Sequence, residues 1–271
     1  MIEIDGAFVP TVPTVPTVPC QHPDRPTGTQ HRAEPGHDAE DAEDAEYETG
    51  RVRWREVKTA VLYPLHSPSE RYRVCWLGSA EAFGARVRGL VRWAGLTQLD
   101  QLIGLSDGAA WISELMDDLG VRRHILDVFH ASLYLERLMV GLGQDELARR
   151  ATRLALMRGE VDIQLWLNVH TGGAVKQGLN EDALKALSYL EKQAEREHTA
   201  YPRFRVEGLC IGSGQVEGSN KAVLRARLCV SGARWSETGA RSKAFARGEN
   251  SSRRALCSFE NVRRAAFPRT A

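Results

Sequence analysis

Residues 10 to 50 constrain this chain more than any other feature, because they cannot join a packed core. A Pro-Thr-Val unit repeats from Pro10 to Pro19 and favours extended, polyproline-like chain, while the Asp-Ala-Glu repeats from Asp38 to Glu46 repel one another. Any fold must carry this stretch as an insertion or linker. The flanking patterns are strand-like: Ile2 and Ile4 before it, and Trp54-Arg55-Glu56-Val57-Lys58-Thr59-Ala60-Val61-Leu62-Tyr63 after it. A third short strand is predicted around Tyr72 to Leu77, and three strands in a row suggest an antiparallel meander.

Beyond the meander, a helix is predicted from Ser79, with Phe83, Val87, Leu90, Val91 and Ala94 on one face. Strand Leu102 to Ser106, helix Ala110 to Leu119 and strand His124 to Val128 then form a unit that places parallel strands in one sheet. After His130 the spacing turns helical over Ser132 to Leu142, Asp145 to Met157, Val161 to Val169 and Asn180 to His198. Further helices are expected from Gly214 to about Cys229 and near Ser236. The pattern predicts an α/β fold with an all-helical block.

With 271 residues and 42% hydrophobic content, the chain is long enough for a sizeable core. No apolar run reaches the roughly eighteen residues of a membrane span, which leaves a cytoplasmic location as the default. Five scattered cysteines (Cys20, Cys75, Cys210, Cys229, Cys257), none in Cys-x-x-Cys spacing, read as reduced thiols rather than a disulfide framework or zinc ribbon. The net charge of +1 hides a strong asymmetry. Residues 1 to 50 hold 2 basic and 11 acidic side chains, whereas Gly218 to the end holds 12 basic and 3 acidic. That late surplus fits either a polyanionic partner or a solvated basic tail.

Three separated acids interrupt apolar runs: Asp5 before Gly6, Asp107 before Gly108, and Glu217 one turn into the helix that follows Gly212-Ser213-Gly214. Singly, Asp5 and Asp107 read as turn formers and Glu217 as the partner of Lys221. Taken together, two strand-end aspartates and a helix glutamate can meet on one rim and hold hard cations. Two magnesium ions about 4 Å apart would there assist in-line phosphodiester displacement. Asp127 and His130 form Asp-x-x-His, read either as a metal pair or support for one, or as a helix-start carboxylate beside a partly buried histidine. Trp235 beside Arg234 is the tryptophan placed for nucleic-acid contact, while Trp54, Trp76, Trp93, Trp111 and Trp166 are assigned to the core.

Several segments, in order, carry a family resemblance: Trp54 to Ala60, Asp107-Gly108-Ala109-Ala110-Trp111-Ile112, Ile125 to Ala131, Tyr201-Pro202-Arg203-Phe204, Ile211 to Lys221 and Ala233 to Ser236. From Met1 to about Lys243 the chain resembles the DDE transposases of ISKra-type insertion sequences. The resemblance implies an RNase H-like mixed sheet, three antiparallel strands then parallel ones, with an all-helical insertion before the last catalytic helix. It implies Asp5, Asp107 and Glu217 as the catalytic, metal-binding triad for two Mg2+ or Mn2+ ions, and His130 matches a histidine recurrent in the family; Asp127, from the Asp-x-x-His reading, and His130 are the secondary candidates. Lys221, Arg225, Arg227, Arg234, Trp235, Arg241 and Lys243 become the expected DNA contacts. The implied partners are element ends and target DNA, engaged by a homo-oligomer at the nucleoid, with no membrane.

The expected segments are a first catalytic strand at 1–9, the insertion at 10–50, a core at 51–131, the helical insertion at 132–200, core completion at 201–243 and a basic tail at 244–271. Met1 lies almost inside the first strand, and past Lys243 the helical apolar stripe gives way to Phe245 through Arg254. Those departures predict a decayed or frameshifted copy, an expectation that an in-frame upstream transcript would overturn. The alternatives to an active transposase are a non-catalytic DNA-binding remnant and an RNase H-like nuclease or resolvase.

Overall fold

In the computed structural model, residues 1–12, 47–49, 52–68, 71–96 and 102–244 are described. Expectations for residues 13–46 and for the tail beyond 244 lie outside them. β1 (Ile2–Val12) is the axis of the sheet. Side chains alternate along it, so Ile2 and Ile4 enter one core while Met1, Glu3, Asp5, Ala7 and Val9 share the opposite face. The strand runs straight through Asp5-Gly6, where the sequence suggests a turn, and past residue 9 to Val12. β3 (Val52–Leu62) holds it there, pairing antiparallel from Ile2↔Leu62 to Thr11↔Arg53. A satisfied ladder overrides the turn tendency of a dipeptide.

β2 (Tyr47–Thr49) and β4 (Tyr72–Leu77) each pair antiparallel with β3. On the other side of β1, β5 (Ile103–Ser106) and β6 (Arg123–Leu126) add in parallel. The spatial order is β2-β3-β1-β5-β6, with β4 also on β3. β7 (Trp235–Ser236), which the sequence does not announce, joins the far end of β1 at Thr11↔Trp235, and helical residues 237–244 follow it.

α1 (Ala80–Trp93), capped by Ser79 accepting from Ala82 N at 3.3 Å, and α2 (Ala110–Asp118) cover the face that carries Ile2 and Ile4. α3 (Val128–Gly141) begins where a strand residue is expected, at Val128, because Asp127 accepts from Phe129 N at 2.9 Å and caps a helix. α4 (Glu146–Arg158), α5 (Ile163–His170), the short α6 (Gly173–Lys176), α7 (Glu181–Glu195) and α8 (Tyr201–Val206) follow. Asp145, Asp162 and Asn180 cap three of them.

The helical block is no separate layer. Leu135, Leu138, Leu190 and Phe204 share one buried cluster with Val61, Leu105 and Ile125 of the sheet. A last continuous helix comprises α9 (Gly214–Ser219), a π-helical segment (Asn220–Arg225) and α10 (Ala226–Leu228). It lies on the Glu3–Asp5 face and buries Val216, Val223, Leu224 and Leu228. Among the described residues no helix is long and apolar enough to cross a membrane.

Candidate acidic site

Strand register builds the site. Ile4 lies beside Ser106, and Ser106 beside Leu126, so the next residues on β1, β5 and β6 are Asp5, Asp107 and Asp127, a row across three neighbouring strands. Asp5 is only partly open to solvent, and Asp127 is buried. Burial and the facing Asp107 carboxylate push the Asp5 carboxyl up to about 7, against the Gly6 N–H, the His130 charge and the Asn220 amide. Burial likewise raises Asp107, with His130 opposing it. His130 stands one turn into α3, its Nδ1 3.9 Å from Asp127 Oδ2. Burial would depress its pKa, but the neighbouring Asp127 carboxylate and the charges of Asp107 and Asp5 lift it to about 9. At neutral pH an imidazolium therefore balances the carboxylates.

The loop carrying Asp107 is held from several sides. Asp107 Oδ1 accepts from Ala109 N at 3.0 Å, and its carbonyl accepts from Tyr189 Oη at 2.7 Å. Ser106 Oγ receives Gly108 N at 3.2 Å and meets His124 Nε2 at 2.8 Å, while Gln193 Nε2 donates to the Gly108 carbonyl at 3.3 Å. Gly108 has φ +87°, and a Cβ there would collide with Tyr189 Oη and sit 2.7 Å from Leu126 Cδ1. Only glycine fits. His124 and His198 pack with ring centroids 4.2 Å apart beside this loop, and burial depresses them to about 3 and about 4.

Glu3, which sequence reading passed over, is buried two residues before Asp5. Tyr63 Oη donates to one of its carboxylate oxygens, and Val216 N donates to the other at 2.8 Å, so Glu3 ties the start of the last helix to β1. Its alternation with Asp5 was the available signal. Arg71 donates to Gln215 at 2.6 Å and Arg73 to Ser219 at 2.8 Å, which pins the same helix over β4. Asn220 Nδ2 then reaches Asp5 Oδ2 at 2.8 Å. Ser213 Oγ donates to Asp127.

Glu217 occupies the outer face of that helix, pairing with Lys221 at 2.5 Å with its side chain 55% exposed. The structure brings Asp5, Asp107, Asp127 and His130 together and leaves Glu217 turned outward in the bland pairing with Lys221. Among the described residues no group of three or more His, Cys, Asp or Glu side chains is arranged to hold a metal. Two facing carboxylates and a buried amide oxygen on Asn220 with no hydrogen-bond partner are nevertheless a hard-oxygen set. Magnesium is commonly held by one or two carboxylates with water and phosphate completing its shell, so these residues fit such an ion.

The expected DNA contacts divide. Lys221, Arg225, Arg227, Arg234 and Lys243 are exposed. Arg241 is committed internally, donating to the Leu77 carbonyl at 2.8 Å and to Glu237 at 2.9 Å. The Trp235 indole donates to the Leu228 carbonyl at 2.9 Å and is covered by Lys243 at 5.1 Å, which makes it a packing residue of the β7 corner rather than a free stacking platform. Trp93, assigned to the core from its pattern, is 45% exposed. Cys75, Cys210 and Cys229 form no disulfide.

Fold and site together define an α/β protein with a mixed sheet and an acidic row across its parallel strands. No protein-family model, curated protein or solved structure matches the chain.

Proposed function

We propose that the chain is the catalytic core of a DDE-type transposase, a polynucleotidyl transferase that cleaves DNA and joins the freed 3′-hydroxyl to a target. The carrying observation is the register that brings Asp5 and Asp107 side by side on adjacent parallel strands, where burial raises the carboxyls of both. The antiparallel strands β1, β3 and β4 with the short β2 beside them, then parallel β5 and β6, and helices on both faces, support the RNase H-like sheet that the resemblance implies. Magnesium or manganese, when bound, supplies charge neutralisation at phosphate and an activated oxygen nucleophile.

The protein's own residues hold the acids in place. The Ser106, Tyr189 and Gln193 contacts fix the Asp107 loop, and Glu3 fixes the helix that carries Glu217. In this reading Glu217 joins the pair by leaving Lys221, which frees that lysine for phosphate alongside Arg225. The working form is a homo-oligomer bridging two element ends at the nucleoid.

A second reading, a DNA-binding remnant without catalysis, is favoured by one observation, the outward Glu217. Incubating the protein with duplex DNA carrying the inverted repeats that flank its coding sequence separates the two. The transposase reading expects nicking or joining that requires Mg2+ or Mn2+ and falls to background in Asp107→Asn. Binding that is indifferent to the metal and to that substitution supports the remnant. Equal cleavage of branched or hybrid substrates without element ends would instead indicate a nuclease or resolvase.

A further inference from the structure

We propose that Asn220 is a ligand-bearing member of this site, presenting its amide oxygen to a divalent cation held by Asp5 and Asp107. The inference rests on reading those two aspartates as cation-binding acids. Asn220 is 4% exposed, yet its Oδ1 has no hydrogen-bond partner. A buried acceptor left unmade costs free energy, and such an orphan on an amide that contacts a carboxylate calls for an explanation. Its other amide atom, Nδ2, donates to Asp5 Oδ2 at 2.8 Å, so the amide lies against the acid itself.

The backbone under Asn220 is also unusual. The residue opens a π-helical segment inside an otherwise α-helical stretch, a rare geometry that recurs at functional sites. Glu217 and Asn220 are one turn apart, but Asn220 reaches Asp5 while Glu217 pairs with Lys221. The Nδ2 bond holds the amide against Asp5 and leaves Oδ1 free to accept a cation, a hard-oxygen ligand of the kind that carboxylates and Asn carbonyls supply. The same side chain therefore donates to Asp5 through Nδ2 and offers Oδ1 to the ion.

Manganese binding to the full 271-residue chain, followed by titration calorimetry and by loss of the free-ion electron paramagnetic resonance signal, tests this. Asn220→Ala is expected to weaken Mn2+ about tenfold, in the range of substitutions at a metal site. Asn220→Asp separates ligand from scaffold, because an aspartate cannot donate to Asp5 but adds an anionic oxygen. A ligand role predicts binding at least as tight as wild type, whereas a purely structural donor role predicts binding as weak as in Asn220→Ala or weaker. Thermal melts of each variant establish that it is folded. Wild-type affinity in Asn220→Ala, or weakened binding in Asn220→Asp, overturns the proposal while Asp107→Asn still abolishes binding. If wild type binds no Mn2+, or Asp107→Asn binds as wild type, the reading of the acid pair fails and takes this one with it.

Discussion

A carboxyl that titrates near neutrality from within a sheet makes the stability of its own fold depend on pH. Asp5 is raised from 3.8 to about 7, so the folded state holds its proton over a range where the unfolded chain has lost it. Its contribution is therefore favourable at low pH and is lost as pH rises from about 4 to about 7. Asparagine mimics the protonated acid without the charge. A tenfold change in proton affinity corresponds to about 1.4 kcal/mol, and partial exposure of Asp5 screens some of the effect, so Asp5→Asn should stabilise the metal-free protein by about 2 kcal/mol at pH 8. Near pH 4 it should have little effect. Denaturant unfolding at the two pH values measures the difference, and equal effects at both would show that Asp5 is an ordinary ionised carboxylate. The histidines divide in the opposite sense: His130 is held charged, whereas His124 and His198, depressed by burial, are neutral in the fold and weaken it as pH falls from 6.5 toward 3.

The last helix is placed by contacts that no local pattern reveals. Glu3 receives Tyr63 Oη and Val216 N, so Glu3→Ala leaves two buried donors unpaired and should cost about 3 kcal/mol. Hydrogen exchange at the Val216 amide should accelerate more than the global loss of stability requires, and unchanged protection there would deny Glu3 its anchoring role. Elements defined by local chemistry were legible in the sequence. β4 falls where alternation places it, and Ser79, Asp145 and Asn180 cap α1, α4 and α7 as their positions suggest. Asp107 was also legible at the end of a short strand, and one reading of Asp127, a helix-start carboxylate, matches its cap on α3. Asp5 lies in a strand, as the first-strand expectation had it, and not at the turn that Asp-Gly alone suggests, because residues beyond a long insertion pair with it. Asn220 and the side toward which Glu217 faces were not legible at all, because helix rotation over a sheet is set by tertiary contacts such as Arg73 to Ser219.

At the scale of the molecule, sheet and helical block share their apolar interior, although the sequence marks residues 132–200 as an insertion. Leu135 on α3 is fully buried in the cluster that includes Leu105, Ile125 and Leu190. Leu135→Ala should cost about 3 kcal/mol and lower one common transition, read identically by backbone and by aromatic side-chain signals. Two separated transitions would mean that the block is an independent unit. The site itself depends on long closures, with a sequence separation of 213 from Glu3 to Val216 and of 215 from Asp5 to Asn220. Contacts so distant carry the greatest loop entropy before they return any binding, so they are the last to be rewarded as a chain organises. On a ribosome, the Glu3–Asp5 stretch of β1 emerges more than 210 residues before the helix segment that contacts it. A nascent molecule spends that whole interval with its acidic row uncovered, and the row closes at a single step, when the helix bearing Val216 and Asn220 docks.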